Sequence, residues 1–162
     1  MKYIAICCFT GHLPEKLNVS REIAINLLKK MVEDAFDDGV TAYITGISRG
    51  IDIWGAEEVL ELKKISLYKT DLCSAFESFE NTWEMEWQNK YRRILLLADE
   101  VHYICDGFSR RVYQLRNEWM IDHASMVIAG YTGAAGRTRN TLEYANKKTD
   151  YIIRIIDFNK EI

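Results

Sequence analysis

Five short apolar runs rich in β-branched residues, each separated from the next by a longer helix-compatible segment, constrain this chain more than any other feature. They lie at Tyr3 to Phe9, Thr41 to Thr45, Val101 to Cys105, Met126 to Ala129 and Tyr151 to Ile156. Strands that are apolar almost throughout must be covered on both faces, and a parallel sheet with crossover helices on either side provides that cover. The expected fold class is therefore α/β, three layers in the order α/β/α around a mostly parallel central sheet. At 162 residues and 48% hydrophobic, the chain has the size and apolar content of one domain, so residues 1–162 are read as a single unit.

The segments between the runs read as helices. Ser20 to Asp38 places Ile23, Leu27, Leu28, Met31, Val32, Ala35 and Phe36 at helical spacing, opens with Ser20 as a cap and stops at Gly39. Asp52 to Lys64 follows, then Asn81 to Ala98 with Trp83, Trp87, Tyr91 and Ile94 on one stripe, then Phe108 to His123 with Val112, Leu115 and Trp119 inward. Ile65 to Ala75 is ambiguous between loop and short strand. Pro14 is the only proline, and no Pro-rich linker divides the chain.

Other chemistries find little support. A net charge of -3 leaves no overall basic field for nucleic acid, so nucleic-acid binding is not expected. Cys7, Cys8, Cys73 and Cys105 form no CxxC and read as reduced packing residues, and His12, His102 and His123 have no ligand-spaced partner, so no metal site is expected. No run reaches the roughly 18 apolar residues of a membrane span, and a soluble, cytoplasmic protein is expected.

In a parallel sheet, ligands collect beyond the carboxyl ends of the strands, where turns feed helices whose free N–H groups attract anions. Three such turns stand out. Thr10-Gly11-His12 follows the first run; its glycine permits a tight turn or close approach of backbone to ligand, and its neighbours offer hydrogen bonds. Thr45 to Asp52 brackets Ser48 and Arg49 between Gly46 and Gly50, with Asp52 placed to cap the next helix and Arg49 without an evident structural role. Tyr131 to Ala145 carries Gly133 and Gly136 around two alanines, then Arg137 and Thr138 at the start of a helix. Upstream, Arg116 and Met120 share a helical face with Asn117 beside them, and a guanidinium suits a phosphate. A surface salt bridge is the alternative for Arg116, and a flexible connector for the Gly133 loop.

Assembled in order, these residues resemble the SLOG superfamily of Rossmann-like domains, most closely its YpsA-type family. TGHLPEKL resembles that family's TGHRP-K-L, GISRGIDIWGAEEVLELK its GMA-GVD--AAE-VL-LK, and RNEWMIDHASMVIAGYTGAAGRTRNTLEYA its RN-WMVD-SD-LIA-Y-G--GGT--T--YA; EWQNKYRRILLLADEV, around Trp87 and Tyr91, has a counterpart as well. The resemblance implies a Rossmann-like fold, a homodimer, and a small nucleotide ligand, ADP-ribose-like or otherwise phosphate-bearing, bound without any required cofactor. Its site would be Thr10, Gly11, His12, Gly46, Ser48, Arg49, Gly50, Asp52, Arg116, Asn117, Gly133, Gly136, Arg137 and Thr138.

Relatives in that superfamily imply an alternative. The cytokinin-activating LOG phosphoribohydrolases carry an RK--M helix and a PGG-GT-EE loop, which align with Arg116 and Met120 and with Gly133 to Thr138. Their catalytic glutamate follows the Thr, whereas Arg139, Asn140 and Thr141 stand there in this chain and Glu143 is displaced. Asp52 and Glu57 are then the only carboxylates the motifs offer for acid–base work on an N-glycosidic bond. A third reading takes Trp83, Trp87 and Tyr91 as a surface for single-stranded DNA or a protein partner, against the ordinary expectation that such a stripe faces the core. Two departures from the family pattern bear on the pocket: Leu13 replaces the arginine of TGHRP, and Arg137 replaces a glycine of GGT, where a side chain either obstructs close backbone approach or, the favoured expectation, restores the lost charge.

Overall fold

The computed structural model describes residues 5–63, 69–74 and 79–158. The chain alternates β1 (Ala5–Gly11), α1 (Arg21–Asp37), β2 (Val40–Thr45), α2 (Ile51–Lys63), β3 (Lys69–Ser74), α3 (Met85–Leu97), β4 (Glu100–Tyr103), α4 (Val112–Asp122), β5 (Met126–Gly130), α5 (Arg137–Asn146) and β6 (Ile152–Ile155). The strands form one sheet in the order β4-β3-β2-β1-β5-β6, and every neighbouring pair is parallel. The sheet is therefore wholly parallel, where the sequence predicts mostly parallel. The ambiguous Ile65 to Ala75 stretch contributes the sixth strand, β3, and its remaining residues fall outside the described ones apart from Lys69–Ser74.

The period-two alternation of the strands sorts the helices into layers. Cys7 and Phe9 of β1 and Met126 and Ile128 of β5 face a core with Leu28 and Val32 of α1, Val59 of α2 and Ile94 of α3. Cys8, Val127 and Ala129, one residue out of phase, face Met120 and Ile121 of α4 and Leu142 and Ala145 of α5. Three α/β/α layers result, as expected. Cys7 and Cys8 are free thiols buried on opposite faces, which accounts for their packing role.

Helix α1 begins where the Ser20 hydroxyl accepts the Ile23 N–H at 3.2 Å, and it ends before Gly39, whose φ of +101° suits a residue without a Cβ. Two helices differ from expectation at their starts. The predicted Asn81 to Ala98 helix is broken: a single 3-10 turn, Phe79–Thr82, precedes α3, and Glu84 in extended conformation separates them. The predicted Phe108 helix starts only at Val112, because Gly107 and the 72%-exposed Phe108 have no apolar face to bury. Trp87 and Tyr91 are buried in the core, with the Trp83 ring edge-on to Tyr91 at 5.8 Å, so the aromatic stripe packs inward and the contact-surface reading loses its residues. No helix among the described residues is long and apolar enough to cross a membrane.

The order of strands matters for function. From β1 the chain runs outward through β2, β3 and β4, then returns to place β5 on the other side of β1. The loops after β1 and β5 therefore leave in opposite directions and open a crevice at the sheet's carboxyl edge.

Candidate functional site

The crevice of about 350 Å³ at this switch point is lined by Thr10, Gly11, His12, Leu13 and Lys16 after β1, Ser48 and Asp52 after β2, Arg116 and Asn117 of α4, and Ala135 to Thr138 at the head of α5. Of the residues named from sequence, ten meet here: Thr10, Gly11, His12, Ser48, Asp52, Arg116, Asn117, Gly136, Arg137 and Thr138. The backbone explains why. β1 and β5 run in register to Gly11 opposite Gly130, and the His12 N–H extends the ladder to the Gly130 carbonyl at 3.0 Å.

Both glycines serve packing. A Cβ on either would lie 2.4 Å from the Ile51 side chain, so Ile51, the first residue of α2, rests across the two strand tips. The close approach anticipated for Gly11 is thus made by Ile51. Between β2 and α2, Ile47 adopts a φ of +56° while fully buried, a left-handed conformation that a β-branched residue takes only under constraint. The constraint is visible: the Ile47 N–H donates to the Thr45 hydroxyl at 3.2 Å, and that hydroxyl donates to the Asp52 carbonyl at 2.8 Å.

Arg116, 4% exposed, supports the same loop from the other side. Its Nη1 donates to the Gly46 carbonyl at 2.8 Å and the Ser48 hydroxyl at 3.0 Å, while Nε and Nη2 both donate to the Asn117 Oδ1 at 3.1 and 2.9 Å. A side chain on Gly46 would come within 2.8 Å of the guanidinium carbon, which is why a glycine stands there. Most of the Arg116 donors are engaged by protein, so this residue positions the loop more than it offers charge to a ligand. Asn117 fixes the guanidinium plane.

Asp52 is the chemical centre of the crevice. It lies in the first turn of α2, two residues past the cap position at Gly50; Oδ2 instead accepts the Ser48 N–H at 3.4 Å, and Oδ1 is buried with no partner among the described residues. Burial pushes the carboxyl from an ordinary 3.8 up to about 6, against the pull of the Arg116 guanidinium and the Ser48 N–H. His12 Nε2 is a second buried, unpartnered atom, its ring 5.4 Å from that of Tyr131. Burial and the charge of Lys16 both lower the His12 pKa, so the ring is neutral at pH 7.

Across the crevice, α5 is preceded by Gly136 at its cap position, with φ +145° and no side-chain cap, which leaves the helix's first N–H groups open to a ligand. Thr138 is buried at the same end. The Arg137 guanidinium lies 4.3 Å from the Tyr113 ring centre at the crevice rim.

Other expected residues stand elsewhere. Arg49 pairs with Glu15, which supplies the structural role its sequence context did not reveal, and Gly50 at φ +94° packs against Pro14. Glu57 holds Lys90 with both oxygens at 3.1 Å and does not line the crevice, which removes it as an acid–base candidate there. Gly133, at φ +96°, is an exposed turn residue whose carbonyl accepts from Arg139. Lys16 was not anticipated; it reaches the crevice because Pro14–Lys16 form one 3-10 turn, for which the Pro after His12-Leu13 is the sequence signal. Among the described residues no group of three His, Cys, Asp or Glu stands close enough to hold a metal.

Comparisons with known proteins place the chain in a family and confirm its fold. Residues 7–161 match the family model YpsA, described as the YspA SLOG family, and the chain belongs to that family. It is 34% identical over 118 residues to the uncharacterized SPbeta prophage-derived protein YoqJ of Bacillus subtilis strain 168, covering 65% of this chain and 69% of that protein. It is 26% identical over 125 residues to the UPF0398 protein OB1025 of Oceanobacillus iheyensis, covering 72% and 68%. Among solved structures it is similar to DNA processing protein A from Streptococcus pneumoniae, with a TM-score of 0.63 at 15% identity over 89% of this chain. The same protein from Helicobacter pylori, studied for its single-stranded DNA binding mode, gives 0.61 at 15% over 93%. This chain spans only 47% and 64% of those two chains, and at such identity the likeness is one of fold.

Proposed function

Given that membership and the crevice at the switch point, we propose that the protein binds a phosphate-bearing ribonucleotide, of the ADP-ribose type or simpler, as a sensor or sequestering module. The observation that carries the reading is the pair of buried, unpartnered atoms, Asp52 Oδ1 and His12 Nε2, across from the uncapped start of α5. A buried polar atom without a partner costs about 1–3 kcal/mol; two of the three such atoms among the described residues, Trp54 Nε1 being the third, belong to residues lining this one crevice, and a ligand that shifts those side chains would complete their hydrogen bonding. The phosphate belongs at the α5 end, held by backbone N–H groups with Lys16 and Arg137. The sugar belongs at Asp52, whose carboxylate accepts from a hydroxyl but repels an anion.

Asp52 is the sole acid lining the crevice among the described residues, which favours binding over cleavage. A second reading, N-glycosidic hydrolysis, rests on the same residue, since a carboxyl raised to about 6 suits proton transfer near neutral pH. One experiment separates them. Purified protein is denatured and any released small molecule identified by mass spectrometry, then the apo-protein is melted with AMP, dAMP and ADP-ribose. An intact ribonucleotide, or a melting shift corresponding to about 2.7 kcal/mol at 100 times Kd, with AMP ahead of dAMP, is the expected result. Free base appearing beyond the buffer control assigns hydrolysis instead, and no shift with any nucleotide refutes the proposal.

A further inference from the structure

A second cavity of about 590 Å³ lies between α4 and α5, and Arg137 lines both it and the crevice. Its cations are Arg110, Arg111, Arg137 and Lys147, none of them ion-paired among the described residues. Gln114 and Asn140 add neutral donors, and the acids facing the same space, Glu118 and Glu143, are outnumbered two to one. Arg110, Arg111, Arg137 and Lys147 are exposed, so their charge is available to a solute. The Tyr113 ring stands at the boundary, 5.8 Å from the Arg116 guanidinium on the crevice side and 4.3 Å from that of Arg137.

We propose that crevice and basin are two halves of one ligand site, which takes a diphosphate-bridged nucleotide with one half in each cavity and its second phosphate against Arg137 and the basin cations. The inference rests on the crevice reading above and extends it. Size argues the same way: small-ligand cavities run about 300–1,000 Å³, and the crevice's 350 Å³ lies at the low end, enough for the first half of such a ligand. An excess of unpaired guanidinium and ammonium groups beyond the uncapped helix end has no function for a monophosphate that stops at α5. A ligand continuing past Arg137 engages them, and arginines accept phosphate oxygens in pairs.

The test is calorimetric titration of the full chain with AMP, ADP-ribose and NAD, in the wild type and in a double variant, Arg111→Ser with Lys147→Ser, whose side chains are exposed and outside the crevice. ADP-ribose or NAD is expected to bind at least about tenfold more tightly than AMP, the worth of one charge-assisted hydrogen bond. The double variant, which retains Arg137 and Arg110, should weaken both by at least about threefold and leave AMP within about twofold. Diphosphate-bridged ligands that bind no better than AMP, or that are indifferent to the double variant while AMP still binds, overturn the basin and leave the crevice standing. Binding of none of the three overturns both. An oligo(dT) whose affinity falls in the double variant while ADP-ribose and NAD are unaffected makes the basin a strand path and refutes this assignment.

Discussion

Asp52→Asn is expected to make the protein more stable and a poorer binder. Burial raises the carboxyl from 3.8 to about 6, roughly two pH units, and each unit is about 1.4 kcal/mol of disfavour for the charged form. The ionised wild type at pH 7.5 therefore carries a burden of about 3 kcal/mol at this one group. Asparagine keeps an oxygen for the Ser48 N–H but gives up the attraction of Arg116, so the net gain should be about 1–3 kcal/mol. For a chain of this length that is a rise of about 2–12 °C in Tm. The sign with pH follows from linkage: a raised folded pKa means that the native state holds the proton more tightly than the unfolded chain. The favourable contribution of the protonated carboxyl is thus complete below 3.8 and is lost as pH rises through about 6. Urea unfolding of both proteins at pH 4.5 and pH 7.5 reads it out: the variant's advantage should be large at pH 7.5 and shrink at pH 4.5, while nucleotide-induced stabilisation falls in the variant. A variant no more stable than wild type at pH 7.5, or an advantage that does not shrink at pH 4.5, refutes the reasoning, because Asp52 would then not be a buried charge maintained against stability.

Arg116→Ala should cost about 1–3 kcal/mol for each oxygen left without a donor, chiefly Gly46, Ser48 and Asn117. It should also move the Asp52 window to higher pH, since the opposing pull disappears; an unchanged window in urea melts between pH 5 and 8 would show that Arg116 does not act on that carboxyl. Trp87→Ala should destabilise by about 3–5 kcal/mol while leaving the nucleotide-induced melting shift intact, and loss of that shift in a folded variant would assign the stripe to the site. Gly11→Ala should cost about 1–3 kcal/mol through the 2.4 Å clash with Ile51, and Ile51→Ala in the same chain should relieve part of it in a thermal melt.

The layers and the location of the crevice were legible because they follow from patterns local in sequence: apolar runs of strand length, amphipathic intervals, and glycines at strand-to-helix turns. β3 was not, since its residues Lys-Thr-Asp-Leu-Cys-Ser lack the apolar continuity of the other strands and are recruited by pairing between β2 and β4. The site was legible as a set of turns but not as roles. That Arg49 meets Glu15, or that Lys16 and not Arg49 faces the crevice, depends on contacts between residues over 30 apart or on the pitch of one 3-10 turn. Ile47 is the sharpest case, because nothing in Gly-Ile-Ser announces a positive φ at a β-branched residue; only the combined hold of Thr45, Asp52 and Arg116 imposes it.

That hold bears on how the crevice would recognise the anion proposed for it. A guanidinium free to swing onto a phosphate would make the site depend on one side chain and pay its ordering entropy at each binding event. Here Arg116 is already fixed by Gly46, Ser48 and Asn117, and the strained Ile47 loop it braces carries the Ser48 N–H to Asp52. In the proposed binding mode the cationic work passes to the α5 backbone, Lys16 and Arg137, while the acid stays ionised on the opposite wall about 1 pH unit above its own pKa of about 6 at neutral pH. A ligand with negative charge at both ends is repelled by that wall, and one with none gains nothing from α5. On the binding reading proposed above, the ligand is then a molecule anionic at one end and hydroxylated at the other, which is the polarity of a nucleoside phosphate entered sugar first.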